Sequence, residues 1–274
     1  MKFQPVGAPD MGRTTILLAL LTISGSLVAT AFKGGGSDRG ATAGSAPTPV
    51  VVELFTSEGC SSCPPADALL QKFDTQPDPR AEFIVLSEHV DYWNHIGWKD
   101  PYSAAAYSER QNAYCRHLNL DGAYTPQVVV DGTLEFVGSN AEQARNAFDK
   151  AAANPKIPMK ISDVKLEGNR LKAHIETAAL PARVRKAEIV VVLALNHAES
   201  LVKAGENSGR HLTHVAVVRS IQEGGEIKGG ESFSGEVSVA VERGFDLTRY
   251  RMIAMIQEPG RGRILGAAMR KLSD

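Results

Sequence analysis

One segment of this chain constrains its fold more than any other: residues 51–67, which read VVELFTSEGCSSCPPAD. Its apolar, β-branched start predicts a strand buried on both faces. Pro64 and Pro65 suit the first turn of a helix, where backbone N–H groups have no intrahelical partner to lose. Cys60 and Cys63 therefore lie between the end of a strand and the N-terminus of a helix, a position that stabilises a thiolate.

The C-x-x-C spacing brings two thiols within reach of a disulfide bond. We predict that Cys60 is exposed at the turn and acts as the nucleophile, and that Cys63, one turn into the helix, resolves the mixed disulfide. One alternative is a static structural disulfide. Another is a Cu(I) or Zn(II) site completed by His89, His95 or Cys115. The expectation we adopt includes no metal and no cofactor.

The N-terminus indicates export. Lys2 and Arg13 precede an apolar stretch that ends in Ala29-Thr30-Ala31, which has the small-x-small form of a signal-peptidase site. Residues 1–31 are therefore predicted to be a signal peptide, and residues 32–49, rich in Gly, Ser, Ala, Thr and Pro, a flexible linker. We expect a periplasmic or secreted protein with no stable membrane insertion after cleavage, or an anchored one if the signal is retained.

Composition excludes one class of partner. The net charge is −1 and 22% of residues are charged, so nothing favours electrostatic capture of nucleic acid. In an exported protein, disulfides persist and thiol chemistry finds substrates. Protein thiols and disulfides, or a redox partner protein, are therefore the expected partners.

Hydrophobic periodicity predicts strands and helices in alternation over residues 50–155. The strand 50–55 is followed by a helix whose apolar stripe includes Ala66 and Phe73, and then by a strand at 83–86, so a parallel βαβ unit is expected. The remaining predictions for this half are an irregular loop at 87–99, a helix from Asp100 to about 118, strands 127–130 and 134–137 joined by a two-residue Asp131-Gly132 hairpin turn, and a helix capped at Ser139.

Residues 156–274 have a different pattern, with little helical periodicity. Polar and Gly-containing connections separate predicted strands at 159–166, 170–177, 188–196, 213–220, 233–241 and 250–257. A β-rich domain of two sheets packed as a sandwich is the expectation for this half.

The order of these elements, the cysteine pair after the first strand and Thr125-Pro126 before the third resemble the thioredoxin fold. More narrowly, residues 53–67, 89–93, 97–101, 124–130 and 205–210 resemble a bacterial family of secreted thioredoxin-like proteins catalogued as a domain of unknown function. The resemblance implies an α/β thioredoxin-like domain over residues 50–155, followed by the β-rich domain of residues 156–274. It also implies that Pro126 faces the cysteine pair after a cis peptide bond, and that the backbone beside Thr125 and Pro126 binds the partner's chain.

The loop after the second strand carries candidate binding residues, because polar and aromatic side chains beside a reaction centre often shape a ligand groove. They are His89, Asp91, Tyr92 and Trp93, with simple loop packing as the alternative. Glu58 or Asp91 is a candidate for handling the proton of the buried thiol.

Three further side chains have simpler interpretations. Cys115 is predicted to be a buried free thiol, with a third redox partner as the alternative. His211 and His214 lie three apart in a predicted strand, so they point to opposite faces, and a structural role is expected rather than a metal pair.

The function predicted from the sequence is an exported thiol–disulfide oxidoreductase acting through Cys60, Cys63 and Pro126. Two alternatives stay open: a non-catalytic envelope binding or scaffold protein with a structural disulfide, and a copper- or zinc-handling thiol protein.

Overall fold

The structure, a computed structural model, describes residues 46–273. The predicted signal peptide and most of the predicted linker lie outside the described residues. The helices are α1 (Pro64–Thr75), α2 (Ala105–His117) and α3 (Ala141–Ala152). The strands are β1 (Thr48–Thr56), β2 (Ala81–His89), β3 (Gln127–Val130), β4 (Leu134–Val137), β5 (Met159–Glu167), β6 (Arg170–Thr177), β7 (Lys186–Leu201), β8 (His211–Lys228), β9 (Ser234–Ala240), β10 (Tyr250–Gln257) and β11 (Ile264–Lys271).

Strand β1 is the centre from which the site is built. It pairs in parallel with β2 and antiparallel with β3, so it is an interior strand. Val51 and Val52, which point to opposite faces, are both fully buried. The predicted βαβ unit is therefore confirmed, with α1 as the crossover between β1 and β2.

The predicted fold class, an α/β thioredoxin-like domain followed by a β-rich sandwich domain, is wrong. One mixed eight-stranded sheet runs β11-β10-β7-β8-β2-β1-β3-β4, and a small sheet runs β5-β6-β9. Strands β8 and β2 join in parallel where Val217 lies opposite Ser87. Four strands from the second half thus extend the sheet of the first half instead of forming a separate sandwich.

Each face of the large sheet has its own apolar core. Val50, Val52 and Leu54 face α1 and α3, whereas Val51 and Ile84 face the opposite side, together with α2 and alternate residues of β7 and β10. The small sheet packs on the remaining face of β7 and β10. Helix α1 therefore starts at the sheet edge where β1 ends, and the β7–β8 hairpin lies beside it.

Two predicted helix starts are wrong. Helix α2 begins at Ala105, not at Asp100, because the Asp100 carboxylate accepts hydrogen bonds from the N–H groups of Glu58 and Tyr102 instead of capping a helix. The N-cap of α3 is Asn140 rather than Ser139, and its side chain accepts hydrogen bonds from two N–H groups of the first turn. The prediction also missed strand β11.

The turn between β3 and β4 lies where it was predicted and is tightly enclosed, but it has three residues instead of the predicted two, since Val130 pairs with Leu134. Asp131 and Gly132 have φ values of 50° and 71°, and Thr133 completes the connection. A Cβ atom on Gly132 would overlap the carbonyl oxygen of Gly262. The turn therefore needs glycine for both its backbone conformation and its space.

Gly132→Ala is expected to lower the free energy of unfolding by about 2–4 kcal/mol, the sum of left-handed strain and a backbone clash. Urea denaturation measures it. Gly168→Ala is the matched control, because Gly168 has a φ of 62° but nothing within 4 Å of its added Cβ; only the strain of about 1–2 kcal/mol is expected there. Equal losses in the two variants would contradict the clash.

Candidate thiol–disulfide site

Cys60 and Cys63 form a disulfide bond at the start of α1, with their Cα atoms 5.4 Å apart. Cys63 is the N-cap residue instead of lying one turn into the helix as predicted, whereas the two prolines follow in the first turn as predicted. The Cys60 Sγ atom also lies 3.3 Å from Oγ of Ser62. The pair thus lies at the positive end of the α1 helix dipole, which would favour a thiolate.

The prediction that Cys60 is exposed is wrong: both cysteines are 0% exposed. The connection between β7 and β8 lies over them. Asn207, itself fully buried, donates hydrogen bonds of 2.9 Å to the carbonyl groups of both Glu58 and Cys60. The Glu206 carboxylate accepts a hydrogen bond of 3.0 Å from the N–H group of Ser61.

We call residues 203–209 of this connection the cover. It packs on the loop after β2, since a Cβ atom on Gly205 would lie 3.3 Å from Cβ of Trp98. Gly205 and Gly209 have φ values of 74° and 81°. The cover is therefore held by a few polar contacts between two turns that glycine makes possible.

A second wall of the site comes from the cis peptide bond between Thr125 and Pro126, which the resemblance implied. The Nε1 atom of Trp93 donates a 2.8 Å hydrogen bond to Oγ1 of Thr125. The same tryptophan lies against Gly59, where an added Cβ would be 3.1 Å from Cβ of Trp93. The structure thus brings Trp93 and the proline turn together at the cysteine segment.

A cluster of buried ionisable groups lies beside the disulfide. The His214 ring lies between two carboxylates, with Nε2 3.4 Å from Oε1 of Glu58 and Nδ1 3.4 Å from Oδ1 of Asp67. Burial lowers the pKa of His214, but the carboxylates of Asp67 and Glu58 outweigh it and raise that pKa to about 10. His214 is therefore an imidazolium at neutral pH.

A second histidine–carboxylate pair supports this cluster. His89 donates a 2.7 Å hydrogen bond from Nδ1 to Asp100, and its ring contacts that of His214 at a centroid distance of 4.6 Å. Burial raises the pKa of Asp100, but His89 outweighs it, and the net change is downward. His89, predicted to line a binding loop, thus belongs to the buried cluster at the end of β2.

The other two predicted binding residues contact α2. Ser108 donates a 2.5 Å hydrogen bond to the Asp91 carboxylate, and the Tyr92 hydroxyl donates one of 3.2 Å to Gln111. Of the two candidates for handling the thiol proton, Glu58 lies in the buried cluster, where Trp98 also donates to it. Asp91 is engaged by α2 instead.

Comparison with known proteins places this chain. Residues 51–257 match the family described as "Protein of unknown function (DUF1223)". The chain belongs to this family. It matches no curated protein.

Solved structures share the architecture. A crystal structure of a protein from Agrobacterium tumefaciens is 28% identical over 83% of this chain and 96% of that one, with a TM-score of 0.64. HBP35 of Porphyromonas gingivalis is 16% identical, with a TM-score of 0.59 over 84% of this chain and 77% of its own; this second likeness shows the fold alone.

Cys115 of this DUF1223 protein is a buried free thiol. Its Sγ atom lies 4.0 Å from Oε1 of Gln127, and burial raises its pKa. The contacts found for it join α2 to β3 rather than to the disulfide. Its role as a third redox partner stays a prediction.

Within residues 46–273, no three His, Cys, Asp or Glu side chains are grouped so that they could hold a metal ion. His89, named above as a candidate ligand, is bonded to Asp100. In the same residues, no helix has the length and apolar character needed to cross a membrane.

Sequence reasoning missed several residues of the site. Asp67 and Asn207 carried no signal of their own, although residues 205–210 were part of the family resemblance. His214 was expected to be structural, and its buried pairing with two carboxylates was not foreseen.

Proposed function

We propose that this chain is an exported thiol–disulfide oxidoreductase in which the Cys60–Cys63 pair reacts. The observation that carries the proposal is the position of the bond at the first turn of α1, beside the buried Glu58–His214–Asp67 cluster. The helix terminus favours a thiolate. A bridge that only braced the fold would need no titratable groups at its side, and burying them is costly.

The short separation of the cysteines in the sequence also supports a reactive disulfide over a structural one. Because the bond joins residues three apart, it removes little chain entropy from the unfolded state. The loop-closure relation gives about 2 kcal/mol for such a ring, against about 3 kcal/mol for a 15-residue loop.

The proposed reaction is thiol–disulfide exchange with a partner protein. A partner thiolate attacks one sulfur of the pair, which forms a mixed disulfide and releases the other cysteine as a thiolate. A second thiol of the partner then attacks the partner's own sulfur in the mixed disulfide and releases the remaining cysteine of the pair. The partner is oxidised to a disulfide, Cys60 and Cys63 become thiols, and the two partner protons end on the protein.

Access to the pair requires the cover to move. The contacts that hold it over the disulfide segment are those of Glu206 and Asn207, and local openings of such segments cost less than global unfolding. Thr125, Pro126 and Trp93 would then border the opened site, as proposed for binding of the partner's chain.

The second candidate is a non-catalytic envelope protein with a structural disulfide. Complete burial of both cysteines favours it. The two candidates differ in one measurable property, because structural disulfides in secreted proteins typically have reduction potentials below about −300 mV, whereas working pairs are more oxidising.

The deciding experiment is a titration of the folded protein in glutathione buffers, with acid quenching, alkylation and mass spectrometry. We expect reversible reduction of Cys60–Cys63, with near-UV circular dichroism unchanged. Cys115→Ser, the control, should titrate alike, and Cys60→Ser should abolish the transition. A bond that resists millimolar dithiothreitol until urea unfolds the chain would establish the structural candidate instead.

A further inference from the structure

We propose that His214 is a positioning residue that sets the acidity of the Cys60–Cys63 dithiol, by holding one positive charge between the carboxylates of Glu58 and Asp67. This inference rests on the proposed function and deepens it. It assigns a task to a side chain of β8, a strand from the half of the chain that carries no cysteine.

The first step is the placement of the three groups around the cysteine segment. Glu58 lies two residues before Cys60. Asp67 lies one helical turn after Cys63, to whose carbonyl group its own N–H donates a 3.1 Å hydrogen bond. His214 spans the two sides, because its Nε2 and Nδ1 atoms each lie 3.4 Å from one of these carboxylates.

The second step is charge. Only an imidazolium presents an N–H group at both ring nitrogens, so only the charged form suits two carboxylates at once. The positive charge of His214 then offsets the negative charge that the carboxylates place beside the cysteine segment. Without His214 that offset is lost, and a negative charge close to a forming thiolate opposes its ionisation.

The third step is that the cluster is nearly closed to water. The side chains of His214, Glu58 and Asp67 are exposed by only 1%, 0% and 7%. Screening by solvent and salt is therefore weak, and a single charge acts strongly on its neighbours.

Other ionisable and aromatic side chains also face His214, and they come from β2, the loop after it and the side of α1. The His89–Asp100 pair lies on the side of β2 and the following loop, and Tyr102 lies at a ring distance of 6.1 Å. A cavity of about 190 Å³ lies on the side of α1 and is lined in part by Pro64, His211 and His214.

Alkylation measures thiolate formation directly, because the thiolate and not the thiol is the nucleophile. The whole protein is reduced with dithiothreitol, in urea and refolded under reductant if necessary, and the rate of iodoacetamide labelling of Cys60 and Cys63 is followed from pH 5 to pH 10. For His214→Gln we expect the profile to move to higher pH, with labelling at pH 7 about tenfold slower, the effect of one unit of thiol pKa.

The opposite charge change keeps the inference testable if His214→Gln fails to fold. Asp67→Asn removes one negative charge, so its profile should move to lower pH. His117→Gln, which changes an exposed histidine at the end of α2, should follow the wild-type profile.

The outcomes separate the two proposals. Profiles of His214→Gln or Asp67→Asn that coincide with that of the wild type would overturn the role of His214, even if the disulfide titrates reversibly. A disulfide that the folded protein never releases would overturn the oxidoreductase proposal, while shifted profiles of the refolded dithiol would still support the charge effect.

Discussion

Arg110→Met is expected to lower the free energy of unfolding by about 3–5 kcal/mol, because it leaves a buried carboxylate without its counter-charge. Arg110 lies on α2 with a side chain that is 2% exposed, and its Nε atom lies 2.6 Å from Glu53 and 3.5 Å from Glu88. Urea denaturation at pH 7 measures the loss. Arg80→Met is the matched control, because Arg80 pairs with carboxylates at 62% exposure, where less than about 1 kcal/mol is expected.

The pH dependence of that loss follows from the same cluster. Burial raises the pKa of Glu53, but Arg110 outweighs it, so the pKa in the folded protein is lower than in the unfolded chain. This group therefore contributes stability at neutral pH that is lost as the pH falls through its folded pKa. Without Arg110, burial prevails, Glu53 binds a proton on folding, and stability should rise as the pH falls from 7 towards 4.

The difference in free energy of unfolding between the wild type and Arg110→Met should therefore become smaller as the pH falls. Burial and then the charge of Glu53 also raise the pKa of the neighbouring Glu88 well above its usual range, so Glu88 adds less to the charge left behind. A difference that stays constant from pH 7 to pH 4 would contradict the assignment of the loss to an unpaired Glu53.

Asn207→Ala is expected to speed reduction of the disulfide in the folded protein by about 10- to 100-fold. The substitution removes both hydrogen bonds that Asn207 donates to the cysteine segment and leaves two buried carbonyl groups without them. This penalty of about 1–3 kcal/mol applies to the closed cover, so it raises the fraction of molecules with an opened cover by about 10- to 100-fold. The rate constant for reduction by excess dithiothreitol measures it.

Two controls separate opening of the cover from loss of global stability. Ser208→Ala changes an exposed neighbour whose hydroxyl donates only within the cover, to Lys203, and should leave the rate unchanged. Gly132→Ala should destabilise the whole fold at a turn outside the site. If Gly132→Ala speeds reduction as much as Asn207→Ala does at equal loss of stability, reduction proceeds through global unfolding and the cover is not the barrier.

Much of the local structure could be predicted because neighbouring residues determine it. The buried run at β1, the apolar stripe of α1 and the Asp131-Gly132 turn each depend on side chains within a few positions. The failures at Asp100 and Ser139 have different causes. The Asp100 side chain is bonded to Glu58, 42 positions away, and a competing tertiary partner outweighs a local preference. At Ser139 the failure is local, because the next residue, Asn140, caps α3 instead.

The fold class could not be predicted in this way. Strand β8 has the same alternating pattern whether it pairs within a separate sandwich or with β2. In the structure it pairs with β2 in parallel, with Val217 opposite Ser87. Periodicity indicates which face of a strand is buried, but it does not indicate which other strand will pair with it. The predicted sandwich failed for that reason.

The amino-acid sequence by itself determined that two cysteines meet at the first turn of a helix, since the strand, the turn and the two prolines are all contiguous. Only the tertiary structure decided that the disulfide is covered and lies beside a buried imidazolium. Asn207 is 147 positions from Cys60, and His214 is 147 from Asp67. Groups so far apart meet through the packing of β8 on α1 and β2, and short-range patterns carry no information about that packing.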